Sequence, residues 1–119
     1  MPIFVKKSQN IVKMRSCNVY INGILGGVLV EESARLYSFT YDAAYLASGK
    51  AKRICLAMPI TRQRYESAYL FPFFSNMLPE GTNRTFLCRF FHIPPDDDFG
   101  LLMKIATTDT IGAITVQPR

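Results

Sequence analysis

The sequence predicts an α+β domain: a small antiparallel meander of roughly five strands, with short helices gathered in the C-terminal half. Three observations predict it. Apolar residues alternate with period two in the first half, an Asn-Gly pair separates two of those runs, and after residue 70 the spacing becomes helical between proline and acidic breaks. With 119 residues, 49% of them hydrophobic and 19% charged, the chain suits one domain with one apolar interior and is not a disordered polypeptide. It is also too short for a complete kinase, a two-domain oxidoreductase or a barrel enzyme.

Residues 1–16 carry Lys6, Lys7, Lys13 and Arg15 among scattered Ile and Val with no clean period, and read as a tail or an extra edge element. Residues 17–119 read as a single domain. Cys17, Val19 and Ile21 share one face of the first strand, and Asn22-Gly23 accepts the positive φ of a tight hairpin turn. A second strand spans about Gly26 to Glu31, and a third places Tyr37, Phe39 and Tyr41 together. Asp42 suits the N-cap of a short turn closing at Gly49. Ile54-Cys55-Leu56-Ala57-Met58 reads as a further strand ended by Pro59, and residues 61–69 read as a loop.

Pro72 suits the first turn of a short helix containing Phe74, Met77 and Leu78, broken by Pro79-Glu80-Gly81. Thr82 or Asn83 is the expected cap of the next helix. There Phe86 pairs with Phe90 and Leu87 with Phe91 at i,i+4, leaving Arg84 and Arg89 nearer the polar side. Pro94-Pro95 ends it. Asp96-Asp97-Asp98 then opens a third helix against the positive end of its dipole, with Phe99, Leu102, Met103 and Ala106 as the inner stripe and Lys104 near the other end. Ile111 to Val116 reads as a last strand returning to the sheet.

Catalytic chemistry finds little support. Asp98-Phe99-Gly100 spells a kinase magnesium tripeptide, but no catalytic loop precedes it, and helix initiation explains the acidic run. His92 is the only histidine and has no Cys or His at ligand spacing. Gly26-Gly27 lacks the Lys-Ser/Thr of a phosphate loop and marks close packing or a bulge. No cofactor and no metal is expected. Cys17, Cys55 and Cys88 form an odd set among apolar neighbours, as buried thiols of a reducing compartment do. With no apolar run near the roughly 20 residues of a membrane span, a cytoplasmic location is expected.

A net charge of +5 leaves acidic partners open. Lys50, Lys52, Arg53, Arg62 and Arg64, flanked by Tyr45, Tyr65 and Tyr69, form a candidate phosphate-gripping cluster. No helix-turn-helix or single-strand platform accompanies it, and a solvated rim is the plainer reading.

Five segments, in order, resemble the N-terminal subdomain of the HipA-type serine/threonine kinase toxins of bacteria. They are Val19-Tyr20-Ile21-Asn22-Gly23 with Gly26-Gly27; Phe39-Thr40-Tyr41-Asp42 with Tyr45-Leu46; Leu56-Ala57-Met58-Pro59-Ile60; Phe73-Phe74-Ser75-Asn76-Met77-Leu78-Pro79-Glu80-Gly81; and Asp97-Asp98-Phe99-Gly100-Leu101-Leu102 leading to Gly112-Ala113. The chain departs from the family at Ala106 to Thr110, where a glycine-bearing turn is usual. It ends before the family's ATP-contacting loop, catalytic Asp and metal-binding Asp, so the resemblance supplies no catalytic residue. A subdomain encoded alone is similar to the HipS antitoxins of tripartite HipBST systems, in which the HipT kinase lacks this part and HipB resembles a DNA-binding repressor. The resemblance therefore implies a non-enzymatic antitoxin that binds a HipT-like kinase, with a HipB-like repressor as a further partner. The alternative is a basic nucleic-acid-binding co-repressor of the same operon. The expected partner surface is Asn76, Met77, Leu78, Glu80, Thr82 and Arg84 around the Leu-Pro-Glu-Gly break, with Phe73 and Phe74 behind it, because that stretch combines apolar surface, exposed polarity and a rigid turn.

Overall fold

The computed structural model describes residues 14–106 and 114–119. Its elements are β1 (Arg15–Ile21), β2 (Ile24–Ser33), β3 (Leu36–Tyr41), α1 (Ala43–Ala47), β4 (Arg64–Ser67), α2 (Pro72–Ser75), α3 (Gly81–Phe91), α4 (Asp98–Ile105) and β5 (Ile114–Pro118). The five strands form one sheet in the order β4-β3-β2-β1-β5, and every neighbouring pair is antiparallel. The expected α+β meander is what the chain forms. The β1–β2 turn has φ 53° at Asn22 and 79° at Gly23, the left-handed pair that matches the twist of adjoining strands. The register slips between Val19 and Tyr20, leaving Gly26 as the extra residue of a bulge.

One sheet face is the core face. Cys17 and Val19 of β1, Leu29 of β2, Phe39 and Tyr41 of β3 and Val116 of β5 are all fully buried there. Phe74 of α2 packs on Phe39 with ring centroids 6.0 Å apart, and Phe99 of α4 reaches Tyr37 at 6.2 Å. Leu101, Leu102 and Ala106 complete the helical cover, so the inner stripe of α4 includes Leu101 where Met103 was expected to sit more deeply.

At the margin of that face runs a polar row. Arg15, Glu31 and Tyr37 are successive cross-strand neighbours on β1, β2 and β3. Arg15 Nε donates to Glu31 Oε1 at 2.7 Å, while its Nη1 and Nη2 donate to both oxygens of Asp97 at 2.9 and 2.8 Å. Asp97 is also the N-cap of α4, accepting from the Gly100 N–H at 3.1 Å. One fork thus joins the first described strand to the start of the last helix, with the guanidinium 5.3 Å above the Phe99 ring. Arg15 and Ser16 are ladder residues, so the sheet starts two positions ahead of the expected strand; the remaining part of that basic segment, residues 1–13, lies outside the described residues. The Ala106 to Thr110 turn beyond Ala106 and the first half of the expected last strand, with Gly112-Ala113, lie outside them too.

Two expectations are overturned between α1 and α2. Ile54 to Met58 is an irregular loop, and β4 forms within the 61–69 stretch that reads as loop. The reason is tyrosine chemistry. Tyr41 Oη accepts from the Ile54 N–H at 2.9 Å and donates to the Met58 carbonyl; Tyr45 Oη accepts from the Lys52 N–H and donates to its carbonyl, both at 2.8 Å. These hydroxyls meet backbone groups that a neighbouring strand would otherwise satisfy. Ile54 and Met58 are then buried four apart while Leu56 between them is 81% exposed. Cys17 and Cys88 are buried and Cys55 half-buried, all three free, and burial pushes the Cys17 thiol up to about 12, which keeps it protonated and unreactive.

Two measurements test these devices. Tyr41→Phe strips the hydroxyl from buried partners and is expected to lower unfolding free energy by about 2 kcal/mol in urea titration; a loss below about 0.5 kcal/mol contradicts the loop's dependence on it. The Arg15 guanidinium holds the Asp97 carboxyl below the ordinary carboxylate range. Its contribution is therefore complete above the unfolded-state value of about 4 and is lost as pH falls from there through the lower folded-state value. Asp97→Asn, which keeps an oxygen for Gly100, is expected to be less stable than wild type at pH 7 by about 2 kcal/mol, with the gap closing toward pH 2.

Candidate partner interface

The Phe71 to Gly81 stretch is wound by backbone bonds from Phe74, Ser75, Asn76, Met77 and Leu78 back to carbonyls three or four residues earlier. Pro72 holds the first helical position, as expected. This winding sorts the side chains by spacing. Phe74 and Leu78 face the core at 0% and 8% exposure; Phe73 and Met77 lie on its shoulder, half-buried; Asn76 and Glu80 face solvent. Phe73 meets Phe74 edge-on with centroids 5.3 Å apart. Leu78, placed on the expected surface, is core instead.

Glu80 is the N-cap of α3 and has no side-chain capping bond. Thr82 and Asn83, expected as caps, are inside the helix and exposed. Gly81 has φ 63° with open space where a Cβ would stand, so glycine is needed there for backbone conformation and not for room. This is the physical content of the Leu-Pro-Glu-Gly break: a left-handed residue redirects the chain from α2 into α3.

The rotation of α3 departs from expectation. Arg84 turns inward, its Nε and Nη2 donating to the Pro95 carbonyl at 3.1 and 2.9 Å and Nη2 also to Asp98 Oδ1 at 2.5 Å. Cys88, one turn on, is buried, with Leu87 half-buried against the core. Residues two positions from Arg84 and Cys88 stand about 200° around the helix, on the far side. Phe86 and Phe90 therefore point outward, 64% and 65% exposed, although their spacing reads as a core pair. Their rings stack at 6.1 Å. Sequence periodicity does not choose between two i,i+4 apolar pairs on neighbouring faces, Phe86/Phe90 and Leu87/Phe91; the Arg84 bonds to the α4 entrance do.

The basic cluster does not assemble as a stacking platform. Arg64 is bound by Glu32 and Glu66 at 2.7 and 2.8 Å, the Tyr45 ring is buried, and the Tyr65 hydroxyl donates to the Pro59 carbonyl at 2.6 Å. Lys52 and Arg53 line a cleft of about 590 Å³ with Ile60 and Thr61. Tyr69, 79% exposed, belongs to a separate cleft with Arg35 and Asp98. Among the described residues no cluster of His, Cys, Asp and Glu is arranged to hold a metal, and no helix is long and apolar enough to cross a membrane.

The family model of the HipA N-terminal domain matches residues 17–117, from the first strand through every helix to β5. The chain belongs to this family. Its curated relatives include, from Sinorhizobium fredii (strain NBRC 101917 / NGR234), "Putative kinase Y4dM", 34% identical over 86 residues, and "Putative kinase Y4mE", 25% identical over 105 residues. The alignments cover 67% and 88% of this chain but 21% and 25% of those proteins, so this HipA N-terminal domain corresponds to at most about a quarter of each relative. The module is distinct from the catalytic domain of HipA-type proteins.

Gly81→Ala is expected to cost about 1–2 kcal/mol in denaturant titration, from forcing a Cβ into left-handed backbone, with Gly81→Asn costing less. Equal losses in the two variants would show that something other than backbone conformation is at work.

Proposed function

We propose that this HipA N-terminal domain is a non-catalytic antitoxin. It docks on a HipT-like serine/threonine kinase in the position that a fused N-terminal domain holds in full-length relatives, and restrains the kinase by doing so. The supporting observation is the match of residues 17–117 to the HipA N-terminal domain, together with relatives that carry this domain and are named as putative kinases. A domain fused to its kinase is held at high effective concentration, whereas the same fold on its own chain binds in proportion to its abundance. Acting in trans on a kinase that lacks it, such a domain is a titratable regulator.

Asn76, Met77, Glu80 and Thr82 are the contact residues in this reading, on a surface that Phe73, Phe74 and Leu78 support from the core. Arg84 contributes by fixing α3, since its guanidinium is bonded within the chain. A HipB-like repressor joins as a third member, and the complex forms in the cytoplasm. Nucleic acid is the weaker alternative, because Arg64, Tyr45 and Tyr65 are engaged internally.

The test is co-expression of the full chain with the HipA-type kinase encoded nearest to it, scored by growth rescue, co-purification and kinase autophosphorylation. Rescue with a stoichiometric complex is expected. Met77→Ala should weaken the complex about tenfold, the range of a single interface anchor. Absence of a complex at micromolar mixing, or DNA binding by the chain alone with a steep salt slope, overturns the proposal.

A further inference from the structure

Building on the docking reading above, we infer that the outward stripe of α3, Thr82, Phe86 and Phe90, is the apolar anchor of the complex, and that its occupant is the kinase body of a HipA-type protein. The three residues stand at i, i+4 and i+8, and all are exposed. They run about 12 Å along one side of the helix, beginning at the Gly81 break where Glu80 and Met77 lie. The stripe therefore continues the surface already assigned to docking.

Its exposure is imposed and specific. The inner side of α3 is held by the Arg84 bonds to Pro95 and Asp98 and by buried Cys88, so the helix cannot roll to bring Phe86 and Phe90 into the core without breaking them. Two stacked phenyl rings in water, beside a third ring in edge contact where Phe91 meets Phe90 at 5.0 Å, make a preformed aromatic ridge. Such a ridge fits an apolar groove on a folded protein. Exposed Arg89 at its end, and Lys104 lying 5.9 Å over the Phe91 ring, give the ridge a basic rim suited to an acidic border on the partner.

The ridge alone does not make a dimer of this chain. A bare Phe side chain offers roughly 200 Å². At 64% and 65% exposure the pair offers on the order of 250 Å², so two ridges face to face bury about 500 Å² in all, well under the roughly 1,200 Å² of a specific interface. The three quarters or more of the kinase relatives that lie beyond the alignment supply a partner large enough for the remainder.

The experiment titrates the full chain, wild type and Phe86→Ser/Phe90→Ser, against the HipT-like kinase of the proposed complex by calorimetry. Circular dichroism and thermal unfolding check that the variant folds. Wild-type binding with at least a hundredfold loss in the double variant is expected, since central aromatic anchors dominate interface affinity. A folded variant within threefold of wild type overturns the role of the stripe while leaving the docking reading intact; no binding by wild type overturns both. If the variant unfolds, benzoylphenylalanine at position 86 of the otherwise wild-type chain reports instead. A crosslink to the kinase supports the inference, and a crosslinked homodimer or no crosslink within a formed complex overturns it.

Discussion

The fork of Arg15 is the interaction on which the arrangement depends. It reaches Glu31 on the neighbouring strand and both oxygens of Asp97, 82 residues away, with its charge half-shielded by protein. A single-layered sheet needs its apolar face covered, and the cover here is a set of short helices that cannot hold their own positions. Pinning the N-cap of α4 to β1 sets Phe99, Leu101 and Leu102 over the sheet, and the carboxylate that does this also satisfies the Gly100 amide. The second arginine, Arg84, then hangs α3 from the entrance of α4. Two guanidinium groups thus transmit the position of the sheet to the outermost helix.

Much of this was legible in the sequence, for reasons that differ from element to element. The Asn22-Gly23 hairpin and the β1 and β3 alternations are local signals that tertiary contacts reinforce. The same holds for the acidic opening of α4, where local capping and long-range pairing fall on one residue, Asp97. Ile54 to Met58 reads as a strand because burial alone looks alike in a strand and in a loop when side-chain hydroxyls meet the backbone. β4, an edge strand of four polar-flanked residues, carries almost no periodic signal. The long-range role of Arg15 has no sequence mark; in a basic stretch it resembles its neighbours.

The candidate site shows the same division. Phe74 is buried and Phe73 half-buried, while Asn76, Met77, Glu80 and Thr82 are in reach of solvent. Leu78 and Arg84 turn inward because their spacing from Phe74 and Cys88 puts them on covered faces. Phe86 and Phe90 turn outward for the complementary reason. An aromatic pair at helical spacing indicates that a face is apolar and leaves open whether its own chain or another molecule covers it.

The loop between α1 and β4 carries one more implication. Tyr41, Tyr45 and Tyr65 hold it through hydroxyls that touch only main-chain atoms at Lys52, Ile54, Met58 and Pro59. Beyond those bonds, buried Ile54 and Met58 and half-buried Ala51 and Cys55 pack on the core, and Gln63 Nε2 donates to the Tyr41 carbonyl at 3.0 Å. The exposed side chains of Lys52, Arg53 and Leu56 take no part in that suspension, so they can be exchanged without unsettling the scaffold.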